Sequence, residues 1–124
     1  MTNLPMVQAP ILKRPLLLYL AISSYAIGGL IAQEDGSNVE QPVYYISHAL
    51  KDAKTRYPRA ERECLAMVYA SQRLRRYFLA YEVWLMTKSG AIKALLRQPI
   101  LYGRISQWLL HLSQYYLKAE HPKQ

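Results

Sequence analysis

The chain has 124 residues, enough for one domain around one core, and 52% of them are hydrophobic, which excludes a disordered segment. Sixteen Lys and Arg against eight Asp and Glu leave a formal net charge of +8, a balance that favours phosphate backbone or an acidic partner. A single cysteine, Cys64, excludes an internal disulfide, and the scattered His48, His111 and His121 have no metal-ligand spacing with it.

Residues 1–14, with Pro5 and Pro10 and no periodic pattern, read as a linker. Pro15 to Gln33 carries no charge and follows Lys13 and Arg14, the flank of a signal anchor. The serine pair Ser23 and Ser24, the glycine pair Gly28 and Gly29 and two tyrosines suit two strands joined by a tight bend better than a lipid-facing helix. The expectation is therefore no signal peptide, no membrane partner and an intracellular setting, in cytoplasm or nucleus. The first strand is Leu16 to Ser23, apolar throughout as a central strand is. The second is Tyr25 to Gln33. A turn cluster from Gln33 to Asn38 leads to a third strand, Val43 to His48, completing an antiparallel meander.

Arg56 to Phe78 reads as one long amphipathic helix. Ala60, Cys64, Met67, Ser71, Leu74 and Phe78 recur at spacings of three and four and share its apolar face. Thr55 suits its N-cap and Pro58 its first turn. Glu63 stands at the edge of the apolar stripe, and Arg56, Arg59, Arg62, Arg73, Arg75 and Arg76 occupy the remaining surface. Eight basic and three acidic residues lie between Lys51 and Arg76, so the charge is concentrated, and these six arginines are the candidate nucleic-acid-binding residues. Arg73, Arg75 and Arg76 beside Tyr77, Phe78 and Tyr81 match either a nucleic-acid track or a solvated helix end with cations at its negative pole.

Tyr81 to Thr87 is a fourth strand, parallel to the first because a helix intervenes. Ala91 to Leu96 is a short helix ended before Pro99. Gly103 to Gln114 is another, with Ile105, Trp108, Leu109 and Leu112 on one face. Tyr115 to Glu120 is a short fifth strand. Trp84 and Trp108 read as core or half-buried anchors. Phosphate loops, Ser/His/Asp orders and dinucleotide fingerprints are all missing. The order β-β-β-α-β-α-α-β gives an α+β (mixed α/β) domain: a three-stranded antiparallel meander plus parallel strands, flanked by helices. Its expected span is 15–120, with a tail at 121–124.

SSYAIGGLIAQ, followed by PVYYISHALKDAKTRYPRAERECLAMVYASQRLRRYF, resembles the ribonuclease H domain of gypsy-type long-terminal-repeat retrotransposons, in a degenerate, plant-like form. The matching marks are Ser47, His48 and Leu50 after the third strand, then Tyr57, Glu61, Glu63, Leu65 and Ala66, and later Gly103, Arg104, Ile105 and Trp108. The resemblance covers about Pro15 to Tyr116 and implies a ribonuclease H-like fold. It implies that active members hold a pair of magnesium ions on carboxylates. Glu63 falls on the helical one. Ala21 and Lys88 fall where active members carry aspartates, and Asp35 and Asp52 lie elsewhere.

Two bridged divalent ions need several anionic oxygens. Ala21 supplies none, and Lys88 puts a cation where a metal would be held. The expectation is a chain with no metal or other cofactor, in which Glu63 is a vestigial catalytic residue that pairs with Lys88 or a nearby arginine. Its role would be a structural tether to the polymerase region of a reverse transcriptase polyprotein, or a contact to RNA–DNA hybrid or duplex. Alternatives are an active hybrid endonuclease using unidentified ligands, and a protein-interaction module.

Overall fold

The computed structural model describes residues 10–23, 25–49, 59–88, 90–97 and 103–122. Five strands and four helices follow in the order β1 (Leu16–Ile22), β2 (Ala26–Glu34), β3 (Glu40–Ala49), α1 (Arg59–Arg73), α2 (Arg75–Ala80), β4 (Val83–Met86), α3 (Gly90–Arg97), α4 (Gly103–Leu112) and β5 (Leu117–Glu120). The sheet order is β3-β2-β1-β4-β5. β1 pairs antiparallel with β2 and parallel with β4, and β4 pairs parallel with β5. This is the mixed sheet expected from the sequence.

The uncharged run from Pro15 to Gln33 is thus β1, a turn and most of β2. Among the described residues, no helix is long and apolar enough to cross a membrane. The turn is made by Ser23, whose Oγ accepts the Ala26 N–H at 3.0 Å while its own N–H donates to the Ala26 carbonyl at 2.9 Å. Of the two roles the glycine pair suits, a bend or a close-packing site, the second applies. Gly28 and Gly29 lie inside β2, and a Cβ built on Gly29 would meet Ile46 Cγ1 at 2.9 Å. Gly29 is there because Ile46 fills the space a side chain would need.

β3 begins three residues earlier than its hydrophobic run suggests. Asp35 explains the extension: its Oδ1 accepts the N–H groups of Ser37 at 2.7 Å and Val39 at 3.1 Å, and its Oδ2 accepts Gln41 Nε2 at 3.1 Å. These bonds, Ser37 first, hold its carboxyl below the usual range. The turn so fixed lets Glu40 and Gln41 pair with Glu34 and Gln33, with a register shift at Ile31/Ala32.

The long helix expected from Arg56 to Phe78 is instead two. Leu74 leaves the helical region at φ −118° and ψ 36°. Its N–H still donates to the Ala70 carbonyl at 2.9 Å, so the break is a kink rather than a reversal. Ser71, fully buried, donates from Oγ to the Val68 carbonyl at 2.8 Å, and such back-bonding bends helices. The expected Thr55 cap, Pro58 first turn and Pro99 stop lie outside the described residues, as do Asp52 and Arg56. β5 starts at Leu117, after Tyr115, because the Tyr115 ring is held edge-on against Phe78 at 5.5 Å.

The core lies between the sheet and the helices. Leu16, Leu18 and Ile31 of the sheet meet Cys64, Met67 and Phe78, and Ile92, Leu109 and Leu112 close the layer. Cys64, Met67 and Ser71 are wholly buried, which is the stripe read from the 3.6-residue period. Burial pushes the Cys64 thiol up to about 12.

Candidate active site and nucleic-acid interface

α1 runs back along the sheet, so its first turns lie at the C-terminal ends of β1 and β4. Glu63 precedes Cys64, a fully buried residue of the stripe, and is drawn in with it to 6% exposure. There it lines a cavity of about 50 Å³ with Leu20, Ile22, Leu85, Met86 and Thr87. Among the described residues, Glu63 is the one charged group in that lining. A carboxylate in such a setting requires a partner to offset its lost hydration.

Ala21 stands between Leu20 and Ile22, and strand alternation turns it to the other face of the sheet, where it is exposed opposite Gly28. Lys88 is exposed and follows Thr87, whose N–H makes a last sheet bond to the Glu120 carbonyl at 2.8 Å. The three positions gather at one end of the sheet, but only Glu63 faces the cavity. Leu20 and Ile22, its neighbours there, carry no chemical mark in the sequence, although the period of two places them on the face of Leu16 and Leu18. Among the described residues no group of three or more His, Cys, Asp or Glu is placed to hold a metal ion. The described residues therefore do not fit a pair of magnesium ions, which demand several hard oxygens in near-octahedral array.

The candidate arginines separate into two groups. Arg62 sits at the cavity end, donating from a terminal nitrogen to the Ser23 carbonyl at 3.1 Å, with its Nε buried and without a hydrogen-bond partner. Arg59 lies in the first turn of the same helix. Arg73, Arg75 and Arg76 are exposed at the far end, eleven positions along from Arg62, or about 16 Å of helix. Arg75 donates to Tyr115 Oη at 3.3 Å, and Arg76 lies over the Tyr77 ring at 5.2 Å. Tyr77 and Phe78 are 6% and 1% exposed. These two rings are core and offer bases no stacking platform, and Tyr81 is half-buried, so the cations are the more accessible part of the expected track.

The family model for the RNase H-like domain found in reverse transcriptase matches residues 12–115. The retrovirus-related Pol polyprotein from transposon 297 of Drosophila melanogaster is 26% identical over 121 residues, covering 96% of this chain and 11% of that protein. The Pol polyprotein from transposon opus of the same fly is 25% identical over 115 residues, covering 86% of the chain and again 11% of the relative. The chain thus spans a small part of these relatives' length.

Among solved structures, a foamy viral protease-reverse transcriptase in complex with double-stranded DNA superposes at a TM-score of 0.67 with 17% identity, over 94% of this chain and 26% of that one. The same kind of enzyme with an RNA/DNA hybrid gives 0.59 and 20%, over 90% and 15%. The solution structure of the PFV RNase H domain gives 0.53 and 15%, over 89% and 79%. At these identities the likeness shows the fold.

Proposed function

The chain belongs to the family of RNase H-like domains found in reverse transcriptase, and from that premise we propose that it is a catalytically inactive member, kept as a structural tether that also contacts nucleic acid. The observation that carries this reading is the lining of the Glu63 cavity: one carboxylate among Leu20, Ile22, Leu85, Met86 and Thr87. Hydrolysis through two divalent ions requires oxygens on both sides of each ion, and among the described residues of this lining Glu63 alone carries a carboxylate. In this reading Glu63 is paired with a cation, Lys88 or a neighbouring arginine, and joins α1 to β4.

The parent element is of gypsy type and plant-like, and the tether joins the polymerase region of its polyprotein to the segment downstream. Nucleic acid is met through phosphates and 2′-hydroxyls on the arginines of α1 and α2. The net charge of +8 supports this, and so do the DNA and RNA/DNA hybrid bound by the foamy viral relatives.

The deciding experiment incubates the 124-residue chain with a labelled RNA–DNA hybrid across a magnesium and manganese titration. The expected outcome is no cleavage at any concentration, with salt-sensitive binding of the hybrid. Divalent-dependent turnover would replace this reading with that of an active endonuclease. Absence of binding at low salt would leave a protein-interaction module.

A further inference from the structure

β3 is an outermost strand of the sheet and, at ten residues, its longest. β2 bonds one side of it. Among the described residues no strand pairs with the other side, where alternate residues turn their N–H and C=O groups away from the sheet. Folded proteins blunt such edges with proline, lysine, bulges or short length. In β3 the guards sit in the first half: Pro42, and the register shift at Ile31/Ala32 beside it. From Tyr44 to Ala49 the strand carries neither proline nor formal charge, and Tyr45, Ser47, His48 and Ala49 are exposed.

Side chains of this stretch alternate between the two faces. Tyr44, Ile46 and His48 turn to the helical layer. The Tyr44 ring lies 6.3 Å from that of Tyr77, the His48 ring 4.2 Å from that of Tyr69, and Ile46 packs on the core. Tyr69, Arg73 and Tyr77 recur at intervals of four, so one stripe of α1 and α2 follows the strand. Arg73 and Arg76 are exposed along it, and the Arg76 guanidinium lies 5.2 Å from the centroid of the Tyr77 ring. The edge is therefore flanked by cations on its helical side. No carboxylate occurs between Gln41 and Ala49 or between Cys64 and Tyr81.

We propose that the second half of β3 is an acceptor edge for an extended segment of another protein, rich in Asp or Glu, which joins the sheet as an added strand. Backbone chemistry selects a peptide. The edge alternates donors and acceptors, and a second peptide backbone matches both kinds. The phosphates of a nucleic acid only accept, and they leave the β3 carbonyls unmatched. Charge selects the sign, because Arg73 and Arg76 attract an acidic strand and repel a basic one. Charge also disfavours a second copy of this chain. Two β3 edges joined antiparallel put both arginine stripes on one side of the seam, in a chain of net charge +8. The two arginines are shared with the nucleic-acid contact proposed above, whereas the β3 backbone serves the added strand alone, so the state of the β3 amides tells the two apart.

The test uses the 124-residue chain, uniformly labelled, and follows amide chemical shifts and hydrogen exchange. The probes are three synthetic peptides of about eight residues. One alternates valine with glutamate, one alternates valine with lysine, and the third is the glutamate peptide with every backbone N–H methylated. The glutamate peptide is expected to shift the β3 amides from Tyr44 to Ala49 and slow their exchange. It should bind on the order of tenfold more tightly than the lysine peptide, and the methylated peptide should not bind. The double variant Arg73→Glu, Arg76→Glu, on exposed positions, is expected to reverse the preference between glutamate and lysine. Undiminished binding of the methylated peptide would overturn the proposal, since charge alone would then hold the ligand. Equal binding of the glutamate and lysine peptides, no binding at millimolar peptide, or shifts confined to α1 and α2 would overturn it too. So would self-association that protects the same β3 amides, which makes the occupant a second copy, or a single-stranded oligonucleotide that protects them.

Discussion

The side-chain amide of Gln33 grips Ile11 from both ends, accepting its N–H at 2.6 Å and donating to its carbonyl at 2.9 Å. A second donation reaches the Arg14 carbonyl at 3.0 Å. Gln33 is 4% exposed, so these bonds satisfy a buried amide and at the same time fasten residues 10–14 to the sheet. Lys13, with φ at 68°, makes the tight turn that brings both carbonyls within reach. The described part of the expected linker is therefore attached to the domain. Gln33→Leu is expected to cost about 2–3 kcal/mol through the orphaned strap groups and to speed amide hydrogen exchange at Ile11. Unchanged protection of Ile11 would show that the strap is held by other means.

Adjacent glycines in β2 are expected to respond in opposite ways. An added Cβ at Gly29 meets Ile46 at 2.9 Å and 3.1 Å, whereas at Gly28 the nearest atom is 3.7 Å away. Gly29→Ala should destabilise by about 1–3 kcal/mol through overpacking. Gly28→Ala should be neutral or slightly stabilising, since it restricts the unfolded chain. Urea titrations of both variants decide it, and equal midpoints would remove Ile46 as the reason for the glycine.

Cys64 is wholly buried, and desolvation first, with the Glu61 carboxylate second, raises its thiol to about 12. The native thiol therefore stays protonated at about pH 8 and should react with a disulfide reagent only as fast as the protein opens. The stability this group contributes is complete below the unfolded thiol's ordinary value. It falls as pH rises from there toward about 12, because the unfolded state loses a proton the native state keeps. Replacing Cys64 with Ala should flatten that alkaline limb in thermal melts. Rapid labelling of the native protein under the same mildly alkaline conditions would contradict the burial.

The proposed pairing of Glu63 is measurable by double-mutant cycles. Glu63→Gln keeps the shape and removes the charge, and is expected to lower the melting temperature by several degrees. Combined with Lys88→Met or Arg59→Met, a coupling of about 0.5–1 kcal/mol should appear with the true partner, modest because Lys88 is exposed. Coupling to Lys88 would tie α1 to the end of β4, coupling to Arg59 would be a pair within α1, and coupling to neither would overturn the pairing.

The exposed trio Arg73, Arg75 and Arg76 gives the hybrid-binding proposal a quantitative signature. Replacing all three with Gln should weaken hybrid binding and lower the slope of log affinity against log salt by roughly 2 to 3, about 0.9 for each lost phosphate contact. Leu74 and Phe78 lie on the buried side of this segment, so the melting temperature should hardly change. An unaltered slope would move the interface away from this end of the helical layer.

Element order and type were legible in the sequence because they depend on local periodicity, which α1 and the meander display plainly. The helical break at Leu74 was hidden because a serine on the apolar stripe reads like any small core residue until its hydroxyl is seen bonding to Val68. The candidate site was half legible. Glu63 and the arginines stood out as charges, while the neighbours of Glu63 in its cavity, Leu20, Ile22 and Leu85, did not. That Ala21 turns to the opposite face, that Tyr77 and Phe78 are core, and that one sheet face lacks a described helix came from the fold alone.

The chain's own residues determined that it makes a mixed sheet with a basic helical layer, since hydrophobic spacing and charge are properties of neighbours along the backbone. Only the tertiary structure decided which residues share a cavity and which face of the sheet the described helices cover, because pairing register and helix placement bring together residues far apart in the chain.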